Sequence, residues 1–564
     1  MKPRSTSYEV QVLQDQHWVL SEVLGEEAAA LAFADNLLSK NNYAAVRVVR
    51  DFKRIDGLHS ETVLLEKAKA PQKKELAPAS LIESPICSDL ADFYSLSSRL
   101  TIGRLFRAYL DEALITPTEL LHNAREMKRL ADKDRLLMSA VDQIAGLQAP
   151  QGGEEAKARR DFLHRSWDQI QERARKAAPE KTPKNLSLAE LTALAAKSGG
   201  EKDYQCRLLM SAQLLELRGW MAKLDQVLRW AAEEGAQSYM ALLDGLVADL
   251  MIPAEAIQDL LGFQVNLAAA LGQMCDLADG KAESAKFASE SFIVINQLLA
   301  AGRLPQARES LLNRVSRELR SVNPLSRNQP DQEYEAFLRV LNRMVTFQGV
   351  TGGPLMAEGL THRYVRQQNV GGLAGLQNAI NDIATDLGGR CRATIYLMAL
   401  AGAPKTTEHF QDHILRKLNF FVEDRTDIDG WVPQRMPPPE RMAALTQCNA
   451  AILAGDTIPE KLKADLAKVT DGVLVDYLEK SEVIEKIDRP EDPLAFRALR
   501  LVKFCCSGAL IRGRSLDLAQ KRVLGHLRQP NFEEKFLSSI PDKVQAEKHL
   551  REFHRLLIES GFKF

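Results

Sequence analysis

Near residue 70 the hydrophobic pattern of the chain changes its period, and that change limits what the chain can fold into. Before it, Tyr8, Val10 and Val12 are interleaved with Glu9 and Gln11, and Val46 and Val48 resume the same alternation. A period of two sends successive side chains to opposite faces of a sheet. After residue 70 the apolar residues recur three and four apart almost to residue 564, which lines one face of one helix after another. The expected fold is therefore predominantly α. A multi-lobed helical body, bundle-like or solenoid-like, follows a small α+β module ordered strand, strand, helix, strand, strand.

The module is expected over residues 1–67. Trp18, Leu20 and Val23 mark its second strand, and an apolar stripe from Ala30 to Leu38 marks its helix. Glu26 and Glu27 suit the start of that helix, where the backbone dipole favours negative charge. Asp56-Gly57 is a tight-turn pair between the last two strands. Arg47, Arg50, Lys53 and Arg54 suggest a basic stripe, either for phosphate contact or to keep a strand edge soluble. Residues 68–86 mix prolines, small residues and charge, and read as a linker or strap. A chain of 564 residues needs more than one ordinary core. Helical lobes are expected over 87–322, 331–432 (with a glycine-rich segment) and 438–564 (with a basic patch).

Helix punctuation along the body is explicit. Thr116-Pro117-Thr118-Glu119, Ser187-Leu188-Ala189-Glu190 and Thr457-Ile458-Pro459-Glu460 have the form of capping boxes. Leu373, Leu376, Ile380, Ile383 and Leu387 trace one amphipathic face. The stretch from Ile295 to Leu311 resembles part of a tetratricopeptide repeat, with Gly302 and Ala307 at the turn glycine and the alanine that follows it. That resemblance covers one helical hairpin and implies antiparallel helix pairs.

Composition narrows the function. With 74 basic and 75 acidic residues the net charge is −1, which disfavours a globally cationic nucleic-acid binder. The seven cysteines are scattered and form no CxxC pair, so neither a structural zinc site nor a disulfide framework is indicated. No apolar signal core and no membrane-length stretch stands out, and the expected compartment is the cytoplasm. No hydrolase, kinase or nucleophile–base signature is present.

Four segments remain as candidates. The basic stretch from Arg497 to Arg528 carries Arg497, Arg500, Lys503, Arg512, Arg514, Lys521, Arg522 and Arg528 against one acid, Asp517, a local charge of +7. Leu516, Ala519, Val523 and Leu527 mark its buried side, while Arg514, Lys521 and Arg528 align on another. Such a patch suits phosphates, an anionic ligand or an acidic partner, unless neighbouring acidic residues around 480–491 neutralise it. The glycine-rich segment 351–375 offers Gly352, Gly353, Arg363, Arg366, Gly371 and Gly372 as a weaker anion site, because glycines let backbone N–H groups approach an anion. It lacks the lysine of a P-loop and the preceding strand of a dinucleotide fold. His409 and His413 are four apart on one helix face, but no third metal ligand is nominated. Cys505-Cys506 sits in a cationic setting that can activate a thiol, although its apolar flanks suit a core.

The function expected from these features is that of a helical interaction protein, a scaffold or regulatory adaptor with a protein partner, no cofactor and no metal. A nucleotide- or nucleic-acid-responsive regulator using residues 497–528 is the alternative. An enzyme of an all-helical class stands behind both.

Overall fold

A computed structural model of the chain describes residues 6–14, 17–39, 45–53, 59–68, 76–133, 135–179, 183–197, 201–283, 289–327, 329–369 and 372–562. These residues form 28 α-helices and one four-stranded sheet, divided into two compact units, Met1–Ala77 and Pro78–Phe564.

The first unit has the expected order: β1 (Thr6–Gln14), β2 (His17–Leu24), α1 (Glu27–Ser39), β3 (Ala45–Lys53) and β4 (His59–Ala68). The sheet is antiparallel throughout, in the order β2-β1-β3-β4. Alternation in the sequence becomes sidedness here. Val10, Val12, Val46 and Val48 are buried against Ala30 and Ala34 of α1. On the other face Arg47 donates to Gln11 at 2.8 Å and stacks 4.6 Å over the Trp18 ring. Arg50 pairs in register with Tyr8 while Arg47 pairs with Gln11, so the two arginines stand on opposite faces and form no single stripe. Arg54 and the Asp56-Gly57 turn lie outside the described residues.

In the second unit one buried apolar cluster runs from Leu186 to Leu557 and spans both helix breaks at 323–330 and 433–439. Sequential helices pair in several places, among them Leu136–Gly152 with Ala156–Ala177 and Pro438–Ala454 with Glu460–Lys480. The segment from Ile295 to Leu311 does form two helices joined at left-handed Gly302. Its second helix, Pro305–Arg320, packs on Met240–Leu250, Leu267–Ala278 and Gly353–Gln367 rather than along the first. In the amphipathic helix Gly372–Asp386, Ile380 and Ile383 are buried, but Leu373 is 61% exposed because the first turn projects beyond the core.

Buried acids cap helices from a distance, and this ties the body together. Asp244 accepts from the Gln306 and Ala307 amides at 2.8 and 2.9 Å. Asp249 accepts from the Thr118 amide and from Arg99, both at 2.8 Å. A helix begins with unsatisfied amides, and an acid supplied by another helix satisfies them only when the two are docked. The boxes at Thr116 and Ser187 close as expected. The third does not: Thr457 donates to the Met398 carbonyl at 2.6 Å, and the helix starts at Glu460 behind Pro459. A tertiary acceptor has taken the hydroxyl from its local role.

Candidate functional site

Residues 497–528 fold as two helices, Leu494–Cys506 and Arg514–Leu527. The second buries Ala519 and Val523 completely, with Leu516 and Leu527 half-buried beside them. Its amino-terminus is held by Asp471 of the Glu460–Lys480 helix, which accepts from the Arg514 amide at 2.8 Å and the Ser515 amide at 3.0 Å. Gly513 makes this approach possible, since a Cβ there would stand 2.6 Å from an Asp471 oxygen.

The eight cations divide by their partners. Asp488, 1% exposed, accepts from Arg497 at 2.8 Å, from Arg522, and from His526 at 2.9 Å. Burial alone would raise its carboxyl; the hydrogen bonds from Arg497, Arg522 and His526 outweigh burial and hold it below the ordinary value of 3.8. Arg500 pairs with Asp492, and Lys503 pairs with Glu552 at 2.9 Å. Among the described residues Arg512, Arg514, Lys521 and Arg528 are exposed and carry no ion pair. Arg514, Lys521 and Arg528 are seven apart, close to two helical turns, so they form one line of charges about 10 Å apart. Asp517 is exposed on the same helix.

The glycine-rich segment is built differently. Gly352 and Gly353 are left-handed, with φ of 79° and 63°, and turn the chain into the helix Gly353–Gln367. The Gly353 amide is spent on the Val350 carbonyl at 2.8 Å, and Pro354 has no amide to offer. Arg363 and Arg366 lie towards the far end of this helix, about 15 and 20 Å from its start. Arg363, 3% exposed, donates to the Glu318 and Asn323 carbonyls at 2.6 and 2.7 Å. Arg366 donates to the Arg320 carbonyl at 2.8 Å and to that of Ser321. Both arginines thus satisfy carbonyls at and just beyond the end of the helix Pro305–Arg320 and are not gathered with the two glycines. Gly372 opens the next helix, and Gly371 lies outside the described residues.

His413 lies on the helix Pro404–Glu423, and burial moves its pKa down; the side chain of His409 lies outside the described residues. Among the described residues no three or more His, Cys, Asp or Glu residues are grouped so that they could hold a metal ion. The seven cysteines are free, and burial pushes the Cys505 thiol up to about 12, the opposite of activation. No helix is long and apolar enough to cross a membrane among the described residues.

One cluster has no counterpart in the sequence reading. Tyr94, His122 and Tyr204 pack together, with ring centroids 5.3 Å (Tyr94–His122), 5.9 Å (Tyr94–Tyr204) and 4.9 Å (His122–Tyr204) apart. Arg173 lies 3.9 Å over the Tyr204 ring and 5.4 Å over Tyr94. Each residue is unremarkable in its own segment, and only packing brings the four together.

The chain matches no protein-family model, and no curated protein or solved structure is significantly similar to it. Function is therefore read from this chain's own geometry.

Proposed function

We propose that the chain is an interaction protein that binds an acidic protein partner along the face of Arg514, Lys521 and Arg528. One observation carries the reading: these three cations, with Arg512 nearby in sequence, are exposed and unpaired where their neighbours in the same stretch are neutralised. A cationic line with a repeat of about 10 Å matches acidic side chains one heptad apart on a partner helix. A scaffold or regulatory adaptor is the role such a surface supports.

Affinity capture from native lysate, with wild type and the Arg514→Glu/Lys521→Glu/Arg528→Glu variant, tests it. The expected result is a protein held by wild type, released by added salt and lost in the variant. Recovery of nucleic acid instead, with a steep salt dependence removed by the same charges, would overturn the protein partner in favour of a nucleic-acid-responsive regulator.

A further inference from the structure

Four half-buried arginines gather beside the Ile252 carbonyl. Arg104 stands in the last turn of the helix Leu96–Leu105, and Arg107 opens the helix Arg107–Ala113. Arg314 and Arg317 lie three apart on one face of Pro305–Arg320. Arg107 and Arg314 each donate from Nη1 to the Ile252 carbonyl at 2.9 Å, so their guanidinium groups converge on one oxygen. The charge acting most strongly on Arg317 is that of Arg104, followed by that of Arg314. Burial, above all, holds Arg104, Arg314 and Arg317 below the ordinary value of 12.5, and the neighbouring arginines help push Arg317 down to about 10. Arginine keeps its proton in a protein, so this crowding is a cost carried with every charge intact.

Little negative charge offsets it. Asp111 pairs with Arg107 at 2.7 Å. Glu83 acts on Arg104, and Glu318 on Arg314 and Arg317, but among the described residues only Asp111 stands at ion-pair distance from any of the four. Donors are left over as well. Arg317 makes no hydrogen bond among the described residues; its Nε is buried without a partner, and its terminal nitrogens are open to solvent. Arg104 spends Nε on the Leu100 carbonyl at 3.2 Å and Nη2 on the Thr101 hydroxyl at 3.1 Å, which leaves Nη1 unused. Arg314 spends only Nη1. A guanidinium fork without acceptors is suited to phosphate oxygens, which it can engage two at a time.

We propose that Arg104, Arg314 and Arg317 bind the diphosphate group of a small ligand, either inorganic pyrophosphate or a nucleoside diphosphate. Its oxygens accept from the unused donors of the three arginines, while Arg107 stays with Asp111 and the Ile252 carbonyl. Several unpaired cations close together favour an anion that concentrates its charge, and a diphosphate offers more charge and more acceptor oxygens than one phosphate. Because the four side chains are half-buried, a compact anion suits them better than acidic side chains on the surface of a second protein.

Calorimetric titration of the full chain with inorganic pyrophosphate, orthophosphate, adenosine diphosphate and a hexaglutamate peptide, at matched ionic strength, tests this. Pyrophosphate is expected to bind at least about tenfold more tightly than orthophosphate, the worth of one charge-assisted hydrogen bond. Tighter binding of adenosine diphosphate than of pyrophosphate assigns a nucleoside diphosphate; equal or weaker binding assigns the inorganic ion. Arg317→Met keeps an apolar stem and removes a charge that makes no hydrogen bond in the fold. It is expected to weaken pyrophosphate binding by about tenfold or more while leaving the urea midpoint unchanged or higher. The Arg514→Glu/Lys521→Glu/Arg528→Glu variant, altered at the other cationic face, is expected to bind pyrophosphate as wild type does. The proposal is overturned by no binding of pyrophosphate at millimolar concentration, by orthophosphate or hexaglutamate binding as tightly, or by unchanged affinity in Arg317→Met. Loss of binding in the triple variant overturns it too, by moving the anion to that other face.

Discussion

The stretch 497–528 contains two kinds of cation that its sequence does not distinguish. Arg497 and Arg522 converge on Asp488 and are consumed in fastening the 488 turn to the helices Leu494–Cys506 and Arg514–Leu527. Arg514, Lys521 and Arg528 contribute nothing comparable to the fold and keep their charge for solvent or a partner. The formal charge of a segment therefore overstates the field it presents; what reaches the surface is what remains after internal pairing. Arg500 and Lys503 fall between these extremes, because their pairs are partly exposed and each contributes little to stability.

This contrast fixes an order of expected effects on urea unfolding. Asp488→Asn is the largest, about 3 kcal/mol, because it removes the acid from a buried network and strands Arg497 and His526. The effect also has a pH window. The folded carboxyl sits below its ordinary 3.8, so its stabilisation is present above that value and is lost as pH falls through the folded pKa. The gap between wild type and Asp488→Asn should be full above about pH 5 and close progressively in more acid solution. Next comes Asp471→Ala, which uncaps the Arg514–Leu527 helix at a cost of about 1–2 kcal/mol. Gly513→Ala should act in the same direction by displacing the Asp471 carboxylate. Smallest is the charge reversal of Arg514, Lys521 and Arg528, within about 0.5 kcal/mol per site. A loss from that reversal comparable to Asp488→Asn would erase the distinction between the two kinds of cation.

Legibility followed the range of the interactions. The strands of the amino-terminal sheet are readable because alternation and sidedness are the same fact, as Val10, Val12, Val46 and Val48 show. The Thr116 box is readable because Thr116 and Glu119 complete it within one turn. Thr457 carries the same local pattern, yet the Met398 carbonyl, 59 positions away in sequence, takes its hydroxyl. Arg363 and Arg366 stand among glycines in the sequence, but their hydrogen bonds go to carbonyls at 318–323. The Tyr94, His122, Tyr204 and Arg173 cluster left no signal at all, because it joins four elements whose own patterns say nothing of one another.

By itself the sequence determined the fold class: a small antiparallel sheet with one helix, then a long succession of amphipathic helices with many of their ends marked. Those features come from backbone periodicity and local capping, which act over a few residues. Only the tertiary structure decided which charges are free, which acids cap distant helices and which polar atoms meet in the interior. Each of those outcomes depends on desolvation and on partners brought together by packing, and neither quantity is written in a local window of the chain.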